Sequence, residues 1–263
     1  MALNDIAAGA VTKKVGLLDN SFARFATRSI LAGVYLTMGT AFAAVVGHGV
    51  AQYAPALGGI VFALLFGLGL YCIVVLGADL ATGNMMYMIY GAVKGQVGWG
   101  KGIWLIIVTT IFNLVGVALF AAAMGMSAKL GGMDPTHLIA TLTDGKLTKT
   151  PGGMFVEAIA ANFVVNMAIL AGAFAKDFAG KFMSIVMIIA AFVGLGLEHV
   201  IANFCLVLLT FFCSDPLPAS LTLGNVLLNW SIVWVGNIIG GGFLIGGVYA
   251  WLNSGENSEM YRD

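Results

Sequence analysis

The chain has 263 residues, of which 60% are hydrophobic and only 9% charged, with a mean hydropathy of +0.98, a composition that excludes an ordinary water-soluble domain. Twelve basic and twelve acidic side chains cancel to zero formal charge, which excludes nucleic acid as a natural partner. The three cysteines show no CxxC spacing, so neither a disulfide framework nor a metal knuckle is expected, and no cofactor or metal is predicted.

Residues 1–28 carry Lys13, Lys14, Arg24 and Arg28 and contain no short apolar stretch ending in a cleavage site, so they read as a cytoplasmic segment rather than a removable signal peptide. A spanning helix needs about 20 mostly apolar residues. Stretches of that kind lie near 29–50, 57–76 and 103–126, forming a first repeat over 29–126. Others lie near 153–175, 183–198 and 226–252, forming a second repeat over 153–252, and residues 253–263 remain as a cytoplasmic tail. Two shorter apolar pieces, 84–93 and 203–213, each follow a long stretch after a polar interruption. At roughly 10 residues, or about 15 Å of helix, neither crosses a ~30 Å hydrocarbon core, so each is predicted to be the second half of a broken helix. The expected fold is a single all-α membrane domain of six transmembrane segments embedded in a lipid bilayer.

Orientation follows from lysine and arginine counts. Lys13, Lys14, Arg24, Arg28, Lys94, Lys101, Lys176, Lys181 and Arg262 fall on the side of the N-terminus, nine against the three of Lys129, Lys146 and Lys149. Both termini are therefore expected in the cytoplasm, in a multi-pass protein of the cell (inner or plasma) membrane.

The two halves repeat each other. Gly77-Ala78-Asp79-Leu80-Ala81-Thr82-Gly83-Asn84 aligns without gaps on Gly196-Leu197-Glu198-His199-Val200-Ile201-Ala202-Asn203, and Asn113-x-x-Gly116 in the third segment matches Asn237-x-x-Gly240 in the sixth. Three helices per half is an odd number, so the halves enter the membrane from opposite sides as an inverted repeat. Non-helical backbone within a bilayer is tolerated only where protein or a water-filled cavity satisfies it, so two such interruptions predict a pathway between them. The half-helix opening at each interruption offers positively polarised N–H groups, which suits a passing anion. Asp79 and Glu198 are expected to cap those half-helices or to take part directly in proton or ion movement. His199, at mid-membrane depth, is either a proton donor to a weak base or a packed neutral imidazole. His48 and His137 fall in or near connections and are expected to be solvated.

These motifs together, with Trp234-Val235-Gly236-Asn237-Ile238-Ile239-Gly240 and the stretch from Lys146 through Pro151 and Phe155 to Asn162, resemble the formate/nitrite transporter family over nearly the whole chain. The resemblance implies an aquaporin-like fold assembled as a homopentamer with one pore per protomer. It also implies small weak-acid anions and their conjugate acids as the permeating partners. By the same resemblance His199 is the central pore histidine, Thr82 its hydrogen-bonding neighbour, and Asn162 and Asn203 nearby polar partners. Lys146 draws anions to the outer vestibule with Lys14 as its inner counterpart, and Leu80, Phe66 and Leu195 build the apolar slits. Asn84 belongs with Asp79 and Glu198 among the structural residues of the interruptions. Ala81 stands where formate- and nitrite-type members commonly carry phenylalanine, which leaves hydrosulfide, lactate or another slightly larger carboxylate open as the substrate. Asn166 adds a polar group to the fourth segment and is expected to make an interhelical hydrogen bond. No nucleophile with a base and no HExxH appears within the apolar segments, so an enzyme is not expected. A proton-coupled secondary transporter is the alternative to a channel, since broken helices in inverted repeats serve both.

Overall fold

Residues 3–255 are described in the computed structural model, and among them every regular element is helical. In chain order these are α1 (Leu3–Asn20), α2 (Phe22–Ala51), α3 (Pro55–Val75), α4 (Ala81–Val93), α5 (Trp99–Gly125), α6 (Leu138–Leu147), α7 (Pro151–Phe174), α8 (Phe178–Gly194), α9 (Val200–Cys213) and α10 (Leu223–Asn237). A π-helical stretch, Ile238–Gly247, continues α10 into α11 (Val248–Leu252). Helices α1 and α6 lie in segments whose composition is too polar to span a bilayer, and the apolar criterion passed over both. Arg262 and most of the 253–263 tail lie outside the described residues.

Local chemistry accounts for the helix starts. Pro55 and Pro151 open α3 and α7, where a missing N–H costs nothing, and side chains of Thr150, Asp177 and Thr222 accept from Gly153, Gly180 and Asn225 to cap α7, α8 and α10. Five helices are long and apolar enough to cross a membrane by themselves: α2, α3, α5, α7 and the continuous Leu223–Leu252. Helices α8, with 17 residues, and α9, with 14, are apolar but shorter.

Two layers of contact hold the bundle. Helix α2 packs on α3 and α5, while α7 packs on α8 and α10. Closest approach occurs where Gly116 of α5 meets α2 and Gly240 meets α7: a Cβ on either would run into a backbone carbonyl, Ile30 in one case and Ile159 in the other. Small residues at helix crossings let backbones touch where hydrocarbon offers no hydrophobic drive. Helix α4 and most of α9 are buried inside this ring, α4 against the glycine-rich π stretch and α9 against α5. Leu57, Ile60 and Leu64 of α3, Trp104, Ile111 and Leu119 of α5, and Met183 and Met187 of α8 face outward instead. That continuous apolar exterior is what a membrane protein presents to lipid or to neighbouring copies.

Candidate functional site: two interruptions and an apolar throat

Helix α3 ends at Val75 and α4 begins at Ala81; α8 ends at Gly194 and α9 begins at Val200. Both ends stop the same way. Gly77 adopts φ +68° and Gly196 φ +67°, and the following amides reach back five residues, Ala78 N to Ile73 O at 2.9 Å and Leu197 N to Phe192 O at 3.4 Å. This left-handed C-terminal turn closes orphan carbonyls and strains any residue bearing a Cβ. The restart is also shared. Asn113 Oδ1 accepts from Ala81 N and Asn237 Oδ1 from Val200 N, each at 2.9 Å. The amide group of Asn113 donates to Ser29 O (2.7 Å) and Asp79 O (2.9 Å), and that of Asn237 to Ala158 O (2.8 Å) and Glu198 O (3.0 Å). A neutral side chain from another helix thus pairs the N–H that opens the new helix and a carbonyl of the interruption, neither of which has an intrahelical partner, and ties both to a carbonyl of a third helix.

The expected capping role of Asp79 and Glu198 is therefore corrected. Asp79 pairs with Lys14 and with Arg28 Nε at 3.1 Å. Glu198 Oε1 takes Lys146 Nζ at 2.7 Å and Lys149 Nζ at 2.8 Å, and its Oε2 takes Asn203 Nδ2 at 2.6 Å and Asn229 Nδ2 at 3.3 Å. A carboxylate removed from water needs a full opposite charge more than an amide dipole, so the cations win the carboxylates and the asparagines are left with the amides. Lys146 also donates to Leu197 O at 3.0 Å, and Lys149 to Gly196 O at 2.8 Å and to Glu157. Burial draws the Lys146 ammonium below its usual range, with Glu198 opposing and Lys149 adding to the fall. Burial acts the same way on Lys149, but hydrogen bonds and charge from Glu157 and Glu198 outweigh it and hold that ammonium above its usual range.

The last residue of the second interruption, His199, reaches across to the first. It is the N-cap of α9, its Nδ1 accepting from Ala202 N at 3.2 Å, and its Nε2 lies 2.8 Å from Thr82 Oγ1. With Nδ1 an acceptor, the neutral ring carries its proton on Nε2 and donates to Thr82. Phe192 meets the ring edge-on at 5.9 Å. His199 lines a cavity of ≈ 10 Å³ together with Leu36, Phe66, Leu70, Leu80, Val165, Ile189 and Phe192. A larger cavity of ≈ 650 Å³ shares Phe66 and Phe192 with it and includes Lys146 and Lys149. A third, of ≈ 250 Å³, shares Leu70 and Leu80 and includes Lys13, Lys14, Arg28, Asp79 and Asn84. Shared walls set the narrow space against both wide ones, each of which holds cationic groups.

Leu80 and Phe66 thus line the narrow part, but Leu195 does not. Leu195 follows the last residue of α8, is 69% exposed and lines none of the three cavities; Phe192, one turn earlier, faces inward in its place. Ala81 is buried, lines none of them either, and contributes its N–H to Asn113. The side chains of Asn162 and Asn203 bond elsewhere than the His199 ring, although the Asn203 N–H donates to His199 O at 2.8 Å as the first turn of α9. Asn162 donates to Thr82 O (3.2 Å) and Asn237 O (2.8 Å), Asn166 crosses to Thr82 O at 3.3 Å, and Asn203 holds Glu198. Asn84 donates to Thr109 Oγ1 at 3.1 Å. His48 and His137, expected to be solvated, stack on each other at 4.2 Å between centroids and are half-buried. Sequence reasoning passed over Phe192, Lys149, Arg28 and Asn229 as site residues. Only Lys149 carried a signal, standing one helical turn after Lys146. Among the described residues, no three His, Cys, Asp or Glu side chains gather where they would hold a metal.

A family model described as "Formate/nitrite transporter" matches residues 2–251. A relative named a probable formate transporter, from Methanothermobacter thermautotrophicus, is 31% identical, the match covering 84% of this chain and 85% of the relative. The solved structure of an FNT family ion channel superposes with a TM-score of 0.87 at 25% identity, over 95% of this chain and 98% of that one. The structure titled a pentameric formate channel with formate bound superposes with a TM-score of 0.74 at 24% identity, over 87% of this chain and 96% of that one.

Proposed function

Because the chain belongs to the formate/nitrite transporter family, and is accordingly a transporter and not an enzyme, we propose that it is a channel for small monovalent weak acids that cross its throat uncharged. The observation that carries this reading is the small volume and apolar lining of the throat. A space of ≈ 10 Å³ lined mainly by leucine, phenylalanine, valine and isoleucine side chains is barely enough for one water, so an ion entering it leaves its hydration shell behind. Stripping a carboxylate-sized ion in a low-dielectric medium costs of order 20 kcal/mol in the idealised limit and still several in practice. Protonating a carboxylic acid with a pKa of about 4 at pH 7 costs about 4 kcal/mol. Protonation is the cheaper route, and the neutral acid is what passes.

In this mechanism Lys146 draws the anion into the outer cavity and Lys14, with Arg28, does so at the inner one. Thr82 and His199 present the polar edge of the throat, Nε2–H to Oγ1, where the passing acid exchanges hydrogen bonds. The proton comes from vestibule water or from the His199 region; in the geometry found, a proton on Nδ1 would displace the Ala202 amide, so His199 gives one only by opening that cap. Asn162, Asn166 and Asn203 hold the throat's frame rather than the ion.

The same reading makes α3 with α4, and α8 with α9, two broken spans of an inverted three-plus-three repeat with six crossings. The matched Gly77/Gly196 turns and Asn113/Asn237 bonds support it. It also places both termini in the cytoplasm and five copies around one axis. The apolar exterior and the pentameric neighbour support that assembly.

Proteoliposome flux of formate, nitrite, lactate and hydrosulfide between pH 5 and pH 8 tests the proposal. Flux linear over a wide concentration range and reduced about 10²-fold in His199→Asn is expected. Unchanged rates and pH response in the variant would remove His199 from the mechanism, and saturating counter-transport would make the protein a coupled carrier.

A further inference from the structure

We propose that the pair Lys149 and Glu157 sets the charge of the outer cavity and thereby the strength of anion capture by Lys146, Lys149 acting as a positioning residue on Glu198. This rests on the permeation reading above. An ammonium has three donors. All three of Lys149 are spoken for, by Glu157 Oε2, by Glu198 Oε1 at 2.8 Å and by Gly196 O at 2.8 Å. Among the described residues Lys146 uses two, on Glu198 Oε1 at 2.7 Å and Leu197 O at 3.0 Å, which leaves one for an anion in the cavity that both lysines line. Lys149 therefore does not compete for the anion; it competes with Lys146 for the single charge of Glu198.

Charge arithmetic gives the sign. Lys146, Lys149, Glu157 and Glu198 sum to zero. Remove the positive charge of Lys149, and both the full charge of Glu198 and that of Glu157 act against an arriving anion, for a total of minus one. Remove the charge of Glu157 instead, and the group stands at plus one with Lys149 still neutralising Glu198. The side chains of Lys149 and Glu157 are 26% and 33% exposed, so a polar substitute at either remains hydrated and the backbone need not move. The inner interruption is charged differently: Asp79 faces Lys14 and Arg28, an excess of one positive charge, and Lys13 lines the same cavity.

The test uses the full-length protein in liposomes, with formate flux measured against formate concentration at low ionic strength. Lys149→Met is expected to raise the concentration giving half-maximal flux, or to lower the initial slope where no plateau is reached. Glu157→Gln is expected to do the opposite, each by roughly three- to tenfold, the span for one unit charge at a half-exposed site. Lys149→Met combined with Glu157→Gln restores zero charge and returns the value close to wild type, Lys149→Arg leaves it close to wild type, and raising salt shrinks every difference. A merely structural pair would lose flux in both single variants and more in the double. Shifts of the same sign, or none, in a wild type that conducts formate would overturn the inference alone. A wild type that conducts neither formate, nitrite nor hydrosulfide would overturn the permeation reading and the inference with it.

Discussion

Set side by side, residues 76–80 and 195–199 share a backbone and differ in nearly every side chain that meets a cavity. Each has a glycine near φ +68° two residues past the last helical residue, and each restarts under an asparagine from the third or last long helix of its half. Past that point they diverge. The carboxylate of the first is held by Lys14 from α1 and Arg28 from α2; that of the second by two lysines in and just after α6, the helix that joins the halves. Where the first has Leu80, closing an apolar throat and capping nothing, the second has His199, capping α9 and donating to Thr82. The lesson is a division of labour. Backbone groups at depth have one economical way to be satisfied, so both halves keep it, whereas the side chains are free to make one interruption apolar and the other polar.

The largest expected effect tests the charged half of that comparison. Glu198 is completely buried and Lys146 is only 14% exposed, so Glu198→Gln strands the Lys146 ammonium, Lys149 keeping Glu157, and is expected to destabilise the protein by about 3–5 kcal/mol. Asp79→Asn strands Lys14 and Arg28, but Arg28 is 33% exposed and rehydrates, so about 2 kcal/mol is expected there. Denaturant unfolding in detergent ranks the two; equal losses would mean that the interruptions are charged alike.

The shared half predicts equality instead. Asn113→Leu and Asn237→Leu each remove three hydrogen bonds to buried backbone groups and are expected to cost about 2–3 kcal/mol, matching within about 1 kcal/mol. A large difference in the same unfolding assay would break the symmetry of the restart.

The smallest effect lies at the start of α6, on the side of the Lys146 cavity. Burial, then His48, then Lys129 push the His137 imidazole down from 6.5 to about 4 where it caps α6 and stacks on His48. Undocked, the ring binds a proton near 6.5; docked, only near 4. The stabilisation is therefore complete above about pH 6.5 and fades as pH falls toward 4, by about 1 kcal/mol given the ring's partial exposure. Melting temperatures at pH 8 and pH 5 should differ more for wild type than for His137→Asn, which keeps a capping side chain without a titrating one.

Composition and spacing determined much of this protein by themselves. Apolar length marks the long helices, because a bilayer admits little else. Glycine followed by a carboxylate within an apolar run marks 77–84 and 196–203 as places where the helix stops, because the left-handed turn and the buried charge are both expensive anywhere else. Asn113-x-x-Gly116 and Asn237-x-x-Gly240 were visible as a pattern, although what they bind was not. Only the tertiary structure decided the partners. Asp79 meets Lys14 across 65 positions, and Thr82 meets His199 across 117, distances at which local periodicity carries no information. It also put Phe192 rather than Leu195 in the throat, since Leu195 stands just past the last residue of α8, where the chain turns and leaves its side chain exposed. And it awarded the carboxylates to lysine and arginine, because competition among donors for a buried charge is settled by which of them the fold can bring within hydrogen-bond reach.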